Sequence, residues 1–239
     1  MINKQSNLYT IIYITVMVLI VGTALAFTAM SLKDKQVENA NADKMKQILA
    51  SVHITSAPST IVSDYERYIT STLVVNDRGE TVDGAEAFSI NVALEAKKPA
   101  AERLLPVYVC SLPEKGTKYI LPMAGMGLWG PIWGYVSLDS DGTTIFGAFF
   151  DHSGETPGLG AEITKASFTD QFDGKQMVKD GEFLPVTVVK KGQVPQGNED
   201  YVDGISGGTI TSKGVGAMLN DCLTPYKAYL EKIASESAQ

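Results

Sequence analysis

The chain has 239 residues, enough for a membrane anchor and one good-sized globular domain with a large core. Lys+Arg number 20 against Asp+Glu 27, a formal charge of −7, and no Lys/Arg cluster stands out in the sequence to track a phosphate backbone, which argues against nucleic acid as a partner. Two histidines, His53 and His152, and two cysteines, Cys110 and Cys222, are too few and too scattered for a zinc site, an iron–sulfur cluster or a Ser/His/Asp relay. Redox chemistry on this chain would need an organic cofactor. On an oxidising side of a membrane the two cysteines could pair, and in a reducing compartment they would be buried thiols.

From Leu8 to Leu32 the sequence carries no charged residue. At about 1.5 Å rise per residue this run exceeds the roughly 20 apolar residues needed to cross a bilayer, so residues 1–32 are expected to form a transmembrane anchor. Its Thr and Ser side chains can bond back to their own helix, and Tyr9 and Tyr13 stand where an interfacial aromatic belt would place them. Ala24-Leu25-Ala26 resembles a signal-peptide cleavage site, but the apolar run is longer than the roughly 7–15 residues of a signal h-region. Lys33, Lys35, Lys44 and Lys46 follow the span and only Lys4 precedes it, a count that slightly favours a cytoplasmic C-terminal domain, although long domains cross largely regardless of such charges.

Residues 33–52 read as a polar helical stalk with Met45, Ile48 and Leu49 on one stripe, leading into a domain over residues 53–239. A short helix is expected at Tyr65 to Ile69, with strands at Thr72 to Asn76, Pro106 to Cys110, Tyr119 to Pro122 and Leu184 to Lys190. The clearest hairpin joins Gly134 to Leu138 with Thr143 to Phe150 through Asp141-Gly142, two residues suited to the positive φ angles of a tight turn. Gln171 to Asp180 is expected as loop or short helix, and Gly192 to Asp200 as a surface loop. Ser212 to Ala238 has helical spacing with Ser212 as N-cap, and Pro225 should interrupt the helix. These elements make a single α+β domain behind the anchor.

Three stretches carry candidate chemistry. In Asp203-Gly-Ile-Ser-Gly-Gly-Thr-Ile-Thr-Ser212, a Gly-rich corner exposes backbone N–H groups just before a helix, an arrangement that suits a phosphate. Local physics alone favours an ordinary Gly-rich turn capped by Ser or Thr before a helix. Glu155-Thr-Pro-Gly-Leu-Gly160 is a tight turn whose backbone can approach a flat ligand. Gly127-Leu-Trp-Gly-Pro-Ile-Trp-Gly-Tyr135 places two tryptophans close together; Trp133 suits a core role better than Trp129.

The D-G-I-S-G-G-T-I-T-S stretch resembles the flavinylation motif of the FMN-binding domain family. That resemblance implies FMN joined covalently through its phosphate to the hydroxyl of Thr209, transferred from FAD by a separate flavin transferase. Asp203, Ser206 and Gly207 would be recognition positions, and Gly208 stands where the family usually has Ala. The E-T-P-G-L-G stretch is similar to one beside the flavin in the same family, which implies contacts from Glu155, Thr156, Gly158 and Leu159. The G-L-W-G-P-I-W-G-Y run resembles the family formed by the C subunits of the Na+-translocating NADH:quinone oxidoreductases, with Trp129 bordering the isoalloxazine. This likeness implies an electron relay with no catalytic or metal-ligating residues of its own, in an inner-membrane respiratory complex. Its partners would be other membrane subunits and the flavin transferase. It also implies a periplasmic C-terminal domain, where a Cys110 to Cys222 bridge becomes conceivable. The flavin-carrying G subunit of Rnf complexes is similar but typically lacks the tryptophan-rich run; a non-flavinylated anchored assembly module is the alternative of a different class.

Overall fold

The computed structural model describes residues 6–237. The chain divides into two compact units, Met1–Lys44 and Met45–Gln239. Helix α1 (Asn7–Ala50) contains the one helical stretch among the described residues that is long and apolar enough to cross a membrane. Within it Thr28 Oγ1 donates to Ala24 O at 2.8 Å and Ser31 Oγ to Thr28 O at 2.9 Å, so these hydroxyls are satisfied by their own helix. The helix ends because His53 turns left-handed (φ 60°), with Ile54 N bonding to Leu49 O and His53 N to Ala50 O.

In the second unit, α2 (Ile61–Tyr68) leads into a five-stranded antiparallel meander: β1 (Ile69–Val75), β2 (Leu105–Leu112), β3 (Gly116–Met126), β4 (Pro131–Leu138) and β5 (Ile145–His152). A one-turn helix α3 (Val92–Glu95) lies in the β1–β2 connection. After the sheet come the short helix α4 (Ala166–Thr169), the small β6–β7 ribbon (Val178–Lys179, Glu182–Phe183), and β8 (Thr187–Val189) paired in parallel with β9 (Tyr201–Asp203). Helix α5 (Thr209–Leu223) and α6 (Lys227–Ser237) close the chain, separated by a 3-10 turn at Thr224–Tyr226 that contains the expected breaker, Pro225.

Both faces of the sheet are covered, which explains the strands' largely apolar sequences. On one face Leu121, Met123, Val136 and Phe150 pack with Val215, Leu219 and Leu223 of α5. On the other, Tyr108, Cys110, Ile120 and Tyr135 pack with Ile48 and Val52 at the end of α1. Strand alternation sends neighbouring residues to opposite faces. Cys110 consequently joins the second cluster and Cys222 the first, and both thiols are free and buried. The sheet stands between them, so the conceivable bridge is not formed. Burial raises the Cys110 thiol to about 11 and also raises Cys222, as expected for inert core cysteines.

The hairpin forms where expected, with a longer turn. Only Gly142 has positive φ (67°); Asp141 instead uses Oδ1 to accept from Thr143 N and Thr144 N at 2.8 and 2.9 Å. The carboxylate organises a six-residue connection between β4 and β5 in place of a two-residue turn. Helix α5 crosses β3 closely, because a Cβ on Gly214 would overlap Met126 O and one on Gly125 would lie 2.8 Å from Met218 Cβ. Tyr226 OH donates to Pro106 O at 2.8 Å, fixing the far end of that helix. The outcome is a rigid platform that aims the start of α5 at the loops after β3 and β5.

Candidate functional site

Helix α5 begins at Thr209, with Gly208 as its N-cap. Ser212, expected as the cap, lies inside the first turn: its N bonds to Gly208 O, and its hydroxyl accepts from Ile205 N at 2.8 Å. The Gly-rich corner folds back sharply enough that a buried serine inside the helix serves the loop instead. Thr209 is exposed, as are Ser206 and Gly207, whereas Gly208, Thr211 and Ser212 are buried. Gly207 has φ 79°, a left-handed conformation that favours glycine, and a Cβ there would stand 2.6 Å from Leu159 Cδ2, the movable end of an exposed side chain.

Glu155 joins the three stretches. Its side chain is buried; Oε1 accepts from Trp129 N at 2.8 Å and Oε2 accepts from Thr211 Oγ1 at 2.6 Å. Gly127 and Gly160 leave the room for it, since a Cβ on either would overlap its carboxylate. Burial pushes the Glu155 carboxyl up, but hydrogen bonds from Thr211, Trp129 N and Leu128 N, together with nearby His152, outweigh it and leave the group below the usual carboxylate range. His152 Nδ1 also accepts from Glu155 N at 3.2 Å. Gly158 (φ 75°) turns the loop, its N–H donating to Glu162 Oε1 at 3.0 Å, while Thr156 O accepts from Leu159 N and Ala161 N.

Around this hub Met126, Leu128, Trp129, Leu159 and Ile210 stand exposed, Trp129 at 69%. Trp133 lies elsewhere, its Nε1 donating to Gln47 Oε1 at 3.1 Å as a strut to the end of α1. Hydrogen bonding thus brings Trp129 and Glu155 to the start of α5, and packing brings Leu159 to Gly207. Asp203 has a different setting: its Oδ1 accepts from Gly192 N at 3.2 Å, which ties down the loop after β8. Beside Thr209 opens a groove of about 740 Å³ lined in part by Lys190, Lys191, Gln193, Ser206, Ser212 and Lys213. Its lysines and Gln193 carry no motif that marks them in the sequence. Phase arithmetic could have found Lys213, because at about 100° per residue the i+4 position shares the face of Thr209.

Gly208 has negative φ (−104°), and a Cβ there would meet Gly160 N and the Ile205 side chain at 3.2 Å. The contact is tight, and both the Gly160 backbone and Ile205 must shift by a few tenths of an ångström to relieve it. Gly208→Ala is therefore expected to fold with a stability change within about 1 kcal/mol, the close contact offset by lower unfolded-state entropy. Thermal melting of the variant beside the parent checks this.

The FMN-binding domain family matches residues 127–224, a stretch that contains Trp129, Glu155 and Thr209. The C subunit of the Na(+)-translocating NADH-quinone reductase from Vibrio alginolyticus is 34% identical over 212 residues, 82% of this chain and 81% of that protein. Its counterpart from Pseudomonas aeruginosa is 30% identical over 241 residues, 92% of each. The crystal structure of the counterpart from Parabacteroides distasonis is 47% identical, covers 83% of this chain and 96% of that one, and superimposes with a TM-score of 0.78. NqrC from Shewanella oneidensis, 23% identical with a TM-score of 0.66, shares the fold. The α+β architecture and the tryptophan-rich run lead to the same place as these likenesses: the chain belongs to the family formed by the C subunits of the Na+-translocating NADH-quinone reductases.

Proposed function

We propose that this chain is the anchored electron-transfer subunit of a Na+-pumping NADH:quinone reductase, with FMN joined through its phosphate to Thr209. The carrying observation is an exposed threonine hydroxyl on the first residue of a helix, set against a Gly-rich corner whose left-handed conformation at position 207 favours glycine. A phosphate there meets unpaired N–H groups and the positive end of the helix dipole. The exposed Trp129 and Leu159 side chains offer apolar surface to an isoalloxazine, and Thr156 and Gly158 supply the turn that presents Leu159. Asp203 acts indirectly, by holding the loop that flanks the acceptor.

The bound flavin supplies electron transfer, and the protein supplies placement and tuning. A covalent tether keeps the group attached in every redox state, so the site need not bind oxidised and reduced forms equally well. Residues 1–32 anchor the chain in the inner membrane, residues 33–52 serve as a stalk, and residues 53–239 form a periplasmic flavin domain that contacts neighbouring subunits. A flavin transferase loads it.

The test is direct. Protein purified from cells with an active flavin transferase is denatured and freed of small molecules; the flavin absorbance is expected to remain with the chain, and mass spectrometry to find the mass of esterified FMN on the peptide containing Thr209. A colourless denatured chain would overturn the assignment.

A further inference from the structure

The groove that Thr209 faces has three ionisable side chains in its lining, Lys190, Lys191 and Lys213, and no carboxylate. In a chain of formal charge −7 this is a local reversal of sign. Among the described residues none of the three lysines takes part in an ion pair. Folding creates the cluster: Lys190 and Lys191 follow β8, while Lys213 comes from α5 one turn beyond Thr209. Residues 209, 212, 213 and 216 share a helix face at about 100° per residue. That face is turned to β8, where a Cβ on Gly216 would lie 3.6 Å from Val188. Gly204 N bonds to Val189 O at 2.7 Å and Gly192 N to Asp203 Oδ1, so the loop carrying Lys190 and Lys191 is held at both ends.

Forming an ester between a phosphate monoester and a threonine hydroxyl expels water, which runs uphill in aqueous solution. The phosphoryl group must therefore arrive as a phosphoanhydride, on a flavin nucleotide whose phosphate still carries a nucleoside monophosphate. Such a donor brings a diphosphate with two negative charges. Resting on Thr209 as the acceptor, we propose that Lys190, Lys191 and Lys213 form this chain's own subsite for the donor's diphosphate, engaged while Thr209 is being loaded. In that step the Thr209 Oγ–P bond forms and the bond from that phosphorus to the bridging oxygen breaks. The nucleoside monophosphate leaves with the electron pair, and the hydroxyl proton passes to a base or to solvent. Nothing is oxidised or reduced. The finished diester keeps one charge, so three ammonium groups match the incoming and departing nucleotides better than the product.

The experiment uses full-length unloaded chain in detergent, purified flavin transferase and FAD, with initial loading followed by in-gel flavin fluorescence. Replacing Lys190, Lys191 and Lys213 together by Gln is expected to slow loading about tenfold at low salt. The deficit should shrink as ionic strength rises from about 0.05 to 0.5 M, where screening shortens the reach of surface charge. The corresponding triple Arg variant should load close to the parent rate, and all three proteins should reach the same final occupancy. A Gln triple that loads at the parent rate, or whose deficit is identical at both salt concentrations, overturns the subsite. If the triple melts earlier than the parent, Lys213→Gln alone, on an exposed helix position, is read by the same salt criterion. A parent chain that active transferase never labels removes Thr209 as acceptor, and the subsite with it.

Discussion

Thr209→Ala is expected to abolish covalent flavin completely while leaving the domain folded. Thr209 is exposed at the first position of α5, so truncating it to Ala, a stronger helix former, should change stability by less than about 0.5 kcal/mol. The structure also says which hydroxyls could act in its place. Thr211 is 1% exposed and already donates to Glu155, while Ser212 is 6% exposed and accepts from Ile205 N. Ser206 is the remaining exposed hydroxyl of the corner, and it stands outside the helix. Intact mass should show the variant without FMN, its melting temperature should match the parent, and Thr209→Ser should recover part or all of the label. Flavin retained by Thr209→Ala and lost by Ser206→Ala would transfer the acceptor role to Ser206.

Much of this architecture was legible because its signals are local. The uncharged run before Lys33 marks the apolar span of α1, and the paired apolar runs around Asp141-Gly142 give β4 and β5. Pro225 marks the break between α5 and α6. What escaped depends on non-local geometry. Whether Cys110 and Cys222 could meet is decided by strand alternation and by which face α5 covers. The role of Ser212 as acceptor for Ile205 N follows from how far the corner folds back before the helix starts at Thr209. The lysine groove was invisible for a similar reason: Lys190 and Lys191 are separated from Lys213 by a whole loop and strand, so no charge run appears in the sequence. Glu155 stood out as part of a turn motif, yet nothing local indicates that its two carboxylate oxygens reach different segments.

Removing that carboxylate is expected to destabilise the fold substantially. Glu155→Ala leaves the Trp129 N–H and the buried Thr211 hydroxyl without their partner, in a space shaped by Gly127 and Gly160. Each unsatisfied buried group costs about 1–3 kcal/mol, so a loss of about 3 kcal/mol is expected by thermal or urea melting. Glu155→Gln keeps the shape and one acceptor oxygen and should lose less. The pH dependence separates charge from shape. The folded carboxyl lies below its ordinary value, so its contribution is fully present above the unfolded-state pKa of about 4.3 and is lost as pH falls through the lower folded value. Parent stability should therefore decline on acidification below about pH 5, and Glu155→Gln should follow a flatter curve there, with the two proteins drawing together at the acid end. Because Glu155 joins the Trp129 loop to the first turn of α5, the same variants should load flavin more slowly even at temperatures where they remain folded. Parallel acid curves for parent and Glu155→Gln would show that the carboxylate's charge does not hold these segments together.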